Sequence, residues 1–310
     1  MLQYIGRRLL ASIPTVIGVC VIVFCLMYFS PYDPAENMGH MYHLNAEQIQ
    51  MLRQELRLDR PFLDQLGHWF ANLARGDLGK SYLQSLPVVN MIEARMWTTL
   101  ELALAGMLLA TIIGLGTGIM AALNEGSIWD TFSMILALIG SAMPDFWLAL
   151  MLIYLFALNL RWLPILGQGD VKHLIMPALV VGLTEAGVIA RTVRSSLLEV
   201  MHDDYIRTAR AKGLRERFVV TRHAMRNALI PTVTIIGINM GAVLGGVVVI
   251  EVVFAREGIG RMMVDGVLAT DIPVVQGVVL LSALVFIFVN LAVDVLYAFL
   301  DPRIRLETNR

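Results

Sequence analysis

Long apolar runs alternate with short polar segments along most of the chain. Four runs contain no acidic or basic side chain, and two more contain a single acid each, Asp145 and Glu185. Each run approaches or exceeds the roughly 20 apolar residues that a helix needs to cross a bilayer. The pattern predicts an all-α, polytopic membrane protein with six transmembrane helices, over residues 9–32, 102–124, 131–160, 174–190, 228–250 and 272–293.

Composition supports the same class of protein. The chain is 57% hydrophobic and 16% charged, with a mean hydropathy of +0.69, whereas soluble domains carry about 25% charged residues. Residues 1–30 are predicted to be a retained anchor helix, because the first run is too long for a signal sequence and no small-x-small cleavage site follows it. A helical extracytoplasmic region, 31–97, and a five-helix core, 98–310, complete the predicted organisation.

Lysines and arginines predict the orientation in the membrane. Fourteen lie at the N-terminus, in the loop before the fifth span and in the C-terminal tail, whereas the two short loops on the opposite side hold four. Cytoplasmic loops are the ones enriched in these residues. We therefore expect both termini in the cytoplasm and residues 31–97 outside.

The extracytoplasmic region contains two predicted amphipathic helices, interrupted at Asp59-Arg60-Pro61. Their apolar positions recur at helical spacing. Two roles are compatible with this pattern. The helices could cap the transmembrane bundle, or they could form a docking surface for an external partner.

The segment ARGDLGKS, residues 74–81, resembles a phosphate-binding loop. That motif requires a glycine at its first position and a preceding strand, but here Ala74 stands first and a helical pattern precedes it. The six histidines show no zinc-binding spacing, and no nucleophile elbow is present. We expect no nucleotide, metal or catalytic site in this chain, which is therefore predicted not to be an enzyme.

Acidic residues inside the membrane are costly, by about 2.5–3.5 kcal/mol each on insertion scales. Asp145 follows Pro144 in the middle of the third predicted span, which predicts a broken or tilted helix. Structural pairing is the alternative for each acid, above all for Glu251. The candidates for lining a translocation path are Pro144, Asp145, Glu185, Asn239 and Glu251.

Small residues recur at helical spacing in the fifth span, at Gly237, Gly241 and Gly245, and Gly114 and Gly118 repeat the spacing in the second. Such spacing lets helices approach closely in lipid. It predicts helix packing, either within this chain or against a second subunit.

A short basic segment precedes the fifth span. YIRTARAKG, residues 205–213, followed by RHAMRNALIP, resembles the cytoplasmic signature loop of permease subunits of binding-protein-dependent ABC importers, in the dipeptide, oligopeptide and nickel branch. The segments LDRPFLDQ, MPDFWLALML and NLAVDVLYAFLDPRIR extend the resemblance over almost the whole chain. Arg256-Glu257 and Ile272 depart from that branch. Glu185 stands where an apolar residue is expected, so it is a candidate for cargo preference.

The resemblance implies a type I ABC importer permease fold in a bacterial inner membrane. It implies a second homologous permease, two cytoplasmic ATPase subunits that carry ATP and Mg²⁺, and an extracytoplasmic substrate-binding protein. This chain itself is expected to bind no cofactor and no nucleic acid. The implied cargo is di- or oligopeptides; nickel chelates, glutathione or opines are alternatives. An ion-coupled secondary transporter is the alternative from a different class.

The loop over residues 198–228 is expected to couple the permease to the ATPase. Leu198, Met201, Tyr205 and Ala209 recur at helical spacing and predict one apolar stripe. Gly213 predicts a helix end with a positive φ. The residues expected to couple are Tyr205, Arg207, Thr208, Ala209, Ala211, Gly213 and Leu214.

Overall fold

The described part of the chain is helical. A computed structural model describes residues 2–31 and 33–300, apart from the side chains of 2–5, 7–9, 27, 41, 245, 246 and 294–300. Two π-helical segments, Ile153–Asn159 and Val219–Ala224, interrupt the α-helices. The α-helices are α1 Leu2–Tyr28, α2 Pro34–Tyr42, α3 Ala46–Glu55, α4 Phe62–Leu73, α5 Val88–Leu123, α6 Ile128–Ala142, α7 Asp145–Leu152, α8 Val171–Met201, α9 Asp204–Ala211, α10 Glu216–Phe218, α11 Met225–Gly246, α12 Val248–Val253, α13 Ile259–Leu268 and α14 Ile272–Leu300.

The prediction of an all-α membrane protein is confirmed. Among the described residues, four helical stretches are long and apolar enough to cross a bilayer: Val88–Leu123, Val171–Met201, Glu216–Leu244 and Ile272–Val293. A bent pair, α6 with α7 and its π-helical extension, would make a fifth. The apolar part of α1, Leu10–Leu26, is shorter than these, so the count of six spans stays a prediction.

The third predicted span is broken at Pro144, as the position of this proline indicated. The chain leaves α6 at Met143 and Pro144, both extended, and α7 begins at Asp145. The two arms are bent by 104°, so the predicted break in the helix over 131–160 is confirmed. Proline lacks the N–H that would continue the helix and its ring clashes with the preceding turn.

The chain forms two compact units. The N-terminal unit comprises the residues up to Thr99 together with Glu257–Ile287, and the core unit comprises Leu100–Arg256 and the residues from Phe288 onward. The predicted boundaries at residues 30 and 97 stay a prediction.

In the N-terminal unit, the two predicted amphipathic helices are confirmed as α3 and α4. Asn45 and Gln48 form a capping box that starts α3, and the interruption over residues 56–61 ends at Pro61, which precedes the first residue of α4. The helix α2 was not anticipated. Aromatic rings fasten α4 to α1, with Phe24 and Phe62 centred 5.5 Å apart.

The segment ARGDLGKS follows a helix, as expected, and not a strand. Its conformation depends on a distant acid, the buried Asp271. The Ser81 hydroxyl donates a hydrogen bond to Asp271, and the backbone N–H of Tyr82 donates to the same carboxylate at 3.0 Å. The hydroxyl that would bind Mg²⁺ in a phosphate-binding loop is therefore engaged with a carboxylate of this chain.

In the core unit, α8 packs closely against its neighbours through small residues. A Cβ placed on Gly118 would lie 2.6 Å from the Ala190 carbonyl oxygen, and one on Gly114 would lie 2.7 Å from Ile189. This spacing in α5 therefore serves packing within the chain. Gly237 likewise lies against Val293 of α14.

Candidate coupling loop and intramembrane polar cluster

The predicted coupling loop begins where α8 ends. After Met201 the chain makes a two-residue turn, and α9 follows over Asp204–Ala211. Lys212 ends α9, and Gly213 has a φ of 75°. This confirms the positive φ predicted at Gly213. A glycine stands here because only a residue without Cβ adopts this conformation without a steric cost.

The inner face of α9 is formed by Ile206 and Ala209. Both are buried, and they pack with Leu197 of α8 and with Val219 and Ala224 of the second π-helical segment. The predicted stripe is therefore only partly right. Tyr205 is 40% exposed and its hydroxyl accepts a hydrogen bond from the Asn227 amide at 2.9 Å. The predicted stripe continued the helical spacing of α8 into α9, but the turn over residues 202–203 interrupts the helix. The position that faces inward is therefore Ile206 and not Tyr205.

The other predicted coupling residues are exposed on the outer face of α9 or just after its end. Besides Tyr205, the exposed ones are Arg207, Thr208, Ala211, Gly213 and Leu214. The Arg207 side chain is 70% exposed and lies 3.6 Å from Asp204. Ala209 is the exception, since its methyl group faces the interior of this chain.

A pair that the sequence analysis missed closes the loop. The Arg210 guanidinium donates two hydrogen bonds to the Glu216 carboxylate, at 2.7 and 3.1 Å. Arg210 lies on α9 and Glu216 starts α10, so the pair bridges the turn at Gly213. The sequence did contain a sign of this pair, since the basic Arg210 and the acidic Glu216 are six residues apart with Gly213 between them.

A second missed pair joins α8 to the turn between α5 and α6. Arg194 binds Asp130 bidentately, with nitrogen–oxygen distances of 2.7 and 2.8 Å, and the N–H of Gly126 donates to the same carboxylate at 3.0 Å. Asp130 is buried, 6% exposed. Bidentate guanidinium–carboxylate pairs fix orientation as well as distance, so this pair holds the α5–α6 turn against the helix that leads into α9.

Three helices bring the polar candidates together inside the core unit. Asp145 lies in the first turn of α7, Glu185 in α8 and Asn239 in α11. The Asn239 amide donates a hydrogen bond of 2.7 Å to Glu185, and α7, which bears Asp145, packs against α8. All three side chains are half-buried, and Pro144 beside them is exposed. The structure therefore brings these candidates together as a polar cluster, and a role in lining a path stays a prediction.

The fifth candidate, Glu251, differs from these residues. Its side chain is fully buried in α12. Nearby, the backbone N–H of Arg256 donates to the Glu251 carbonyl at 2.8 Å. The Arg256 guanidinium, 2% exposed, binds Glu101 at 2.9 Å. A fully buried carboxylate does not face a path in this conformation.

The glycines of the fifth span are resolved in part. Gly237 packs within this chain and Gly241 is buried, whereas the surroundings of Gly245 lie outside the described residues. For Gly237, packing within the chain is therefore the better of the two interpretations.

The structure thus combines a short, exposed, basic helix between long apolar helices with polar side chains gathered between those helices, an arrangement compatible with a membrane transport protein. The chain matches two families: "Binding-protein-dependent transport system inner membrane component" over residues 114–306, and the N-terminal component of the same system over residues 1–103.

Curated relatives agree over the full length. The glutathione transport system permease protein GsiC of Escherichia coli (strain K12) is 43% identical over 305 residues, which covers 98% of this chain and 99% of the relative. GsiC of Shigella boydii serotype 4 is 42% identical over the same length. The chain therefore belongs to the family of binding-protein-dependent ABC importer permeases, in the peptide and nickel branch.

Solved structures support the fold. The inward-facing MetNI methionine ABC transporter matches with a TM-score of 0.59 at 20% identity, over 69% of this chain and 97% of that one. An amino acid ABC transporter matches with a TM-score of 0.51 at 12% identity, over 69% and 94%. The predicted permease fold is confirmed. The family match contradicts the alternative of an ion-coupled secondary transporter.

Proposed function

We propose that this permease forms half of the translocation path of an ATP-driven importer for short peptides. The observation that carries the proposal is the continuity of α8. This helix bears Glu185 of the polar cluster, and its last residue, Met201, is two residues away from the exposed helix α9. Sixteen residues separate Glu185 from Met201, about 24 Å along the axis.

The proposed mechanism uses α8 as a lever. An ATPase subunit binds the outer face of α9 and moves it when ATP closes the ATPase dimer. Buried Ile206 and Ala209 fasten α9 to α8, and Arg194 fastens α8 to the α5–α6 turn, so the movement reaches the helices of the polar cluster. Interiors this closely packed transmit displacement because they compress little.

The proposed partners are a homologous permease, two ATPase subunits and a substrate-binding protein. In this assembly ATP and Mg²⁺ stay on the ATPases, both termini lie in the cytoplasm, and the helices α2–α4 face outward. The polar cluster, Asp145, Glu185 and Asn239, lines the path together with Pro144, whereas Glu251 is left out because it is buried.

Glutathione is the second candidate cargo, and the likeness to GsiC at 43% identity favours it. Glutathione is itself a tripeptide derivative, so the same path can serve both. Nickel chelates and opines have no comparable support. Uptake assays with the cognate binding protein would separate the cargoes.

The test of the path is uptake into vesicles that hold the reconstituted assembly. Asp145→Asn and Glu185→Gln keep the size of each side chain but remove its charge, and we expect both to reduce uptake while the assembly forms normally. Glu47→Gln, at an exposed acid of α3, is the matched control. Uptake at the level of the unmodified protein in both variants would contradict the proposed path.

A further inference from the structure

The N-terminal unit contains a cavity of about 910 Å³. The end of α1, the helix α4, the segment over residues 77–85 and the start of α14 surround it, all within this one unit. Ligand-binding cavities in proteins commonly measure about 300–1,000 Å³. The cavity is therefore large enough for a small organic molecule, and the polar cluster of the core unit contributes nothing to it.

One wall of the cavity carries a side-chain amide, that of Gln276 in α14. Most of this residue is buried, with 5% of it exposed. Among the described residues, none forms a hydrogen bond with its side chain. The amide oxygen and nitrogen are therefore left open to the cavity, where they offer an acceptor and two donors to a ligand with its own hydrogen-bonding groups.

Another part of the cavity lining is aromatic. Phe24 and Tyr28 of α1 and Trp69 of α4 line the cavity, and the rings of Phe24 and Trp69 are centred 5.8 Å apart. Aromatic faces attract ammonium groups as well as apolar side chains.

Exposed charged side chains of both signs also belong to the lining. Glu55, Arg57 and Lys80 line the cavity, and none of the three has an ion pair within the part of the chain that the structure describes. A ligand that carries both an ammonium and a carboxylate group would find a counter-charge for each. Side-chain amides such as that of Gln276 can accept from and donate to a peptide bond.

We infer that this cavity binds a short zwitterionic peptide, as a site separate from the intramembrane path. The inference rests on the proposed import function and orientation, which bring peptide cargo to this side of the membrane. The cavity would hold cargo close to the permease before it enters the path.

The experiment measures binding to the purified full-length chain in nanodiscs of phosphatidylglycerol. The probes are alanyl-phenylalanine, glutathione and N-acetyl-alanyl-phenylalanine amide, which lacks both terminal charges. We expect the capped peptide to bind at least tenfold more weakly than the free one. Equal binding of the two would overturn the inference without any variant, so the result does not depend on a variant's folding.

Variants locate the site. Gln276→Leu should weaken binding of the free dipeptide about tenfold, because the amide contacts are lost, and Trp69→Ala should weaken it as well. Gln84→Leu changes the same residue type at an exposed position outside the cavity and should have no effect. Binding that survives Gln276→Leu but is lost in Glu185→Gln would place the peptide in the intramembrane path and overturn the inference.

Two outcomes separate this inference from neighbouring ones. A headgroup such as phosphatidylethanolamine is also zwitterionic, so competition by nanodiscs containing this lipid would identify a lipid as the occupant and overturn the peptide assignment. Peptide binding by the chain without uptake by the reconstituted assembly would refute the proposed function and leave the site standing. Uptake by the assembly without peptide binding in the cavity would refute the peptide site and leave the proposed function standing.

Discussion

Replacing Gly213 with valine tests whether the angle after α9 couples the permease to its ATPase. Gly213 has a φ of 75°, and a Cβ built on it meets no heavy atom within 4 Å. A valine here would therefore have space for its side chain, and its cost would come from the backbone conformation alone. The strain would be relieved only by changing the direction in which the chain leaves α9.

The magnitude follows from the left-handed region. An L-residue there costs about 1–2 kcal/mol relative to glycine, and a β-branched side chain lies at the upper end because its χ1 is restricted. A difference of this size shifts a local equilibrium roughly 5- to 30-fold. The Arg210–Glu216 pair spans the same turn, so the shift should also loosen that pair.

The assay is cargo-stimulated ATPase and uptake in reconstituted vesicles. We expect Gly213→Val to lower the ratio of stimulated to basal ATPase several-fold. Gly76→Val is the matched control, because Gly76 has a φ of 76° and equally open surroundings but lies in the turn after α4 in the N-terminal unit. It should lower thermal stability by a similar amount and leave the ratio unchanged. A normal ratio in Gly213→Val would refute the reasoning, and α9 would then serve only as a topological anchor.

The Asp130–Arg194 pair predicts that Arg194→Asp destabilises the purified chain by about 2 kcal/mol, because two carboxylates then face each other near a buried position. Adding Asp130→Arg restores a pair of opposite charges and should restore most of the melting temperature. No recovery in the double variant would contradict the role of this pair. Burial and the charge of Asp271 raise the pKa of Tyr82 to about 12, so stability present below pH 10 should be lost between pH 10 and 12, where only the unfolded chain releases the phenol proton. Tyr82→Phe should flatten that decline, and an unchanged melting profile would argue against it. A cysteine replacing exposed Glu47, without Cys20 and Cys25, should react with an impermeant maleimide in intact cells; labelling restricted to inside-out vesicles would overturn the proposed orientation.

Much of the fold could be predicted from local pattern alone. Apolar runs of sufficient length predict spanning helices in any sequence, because an unpaired backbone group in lipid costs several kcal/mol. The break at Pro144 and the positive φ at Gly213 were equally local, since each depends on the covalent structure of one residue. The predicted ends of the helices were less accurate. The helix α8 runs from Val171 to Met201, well beyond the apolar run over 174–190, because polar residues outside the bilayer can continue the same helix.

Part of the candidate site could also be predicted. The spacing of YIRTARAKG marked the exposed helix, and the cost of burying an acid marked Asp145 and Glu185 as residues that require an explanation. Neither the spacing of a segment nor the cost of burying an acid tells which segments of the chain lie close together in the fold. Asn239 was a candidate, but the hydrogen bond that it donates to Glu185, 54 residues away, has no trace in the sequence pattern.

Tertiary structure alone decided which polar groups meet. Asp271 holds the segment around Ser81 from 190 residues away, and Asp130 binds Arg194 across 64 residues. The turn before α9 changed the helical phase and brought Ile206 inward in place of Tyr205. Periodicity specifies which face of one helix is apolar, whereas the partner of a charged or hydrogen-bonding group is chosen by how helices pack, and that depends on the whole chain at once.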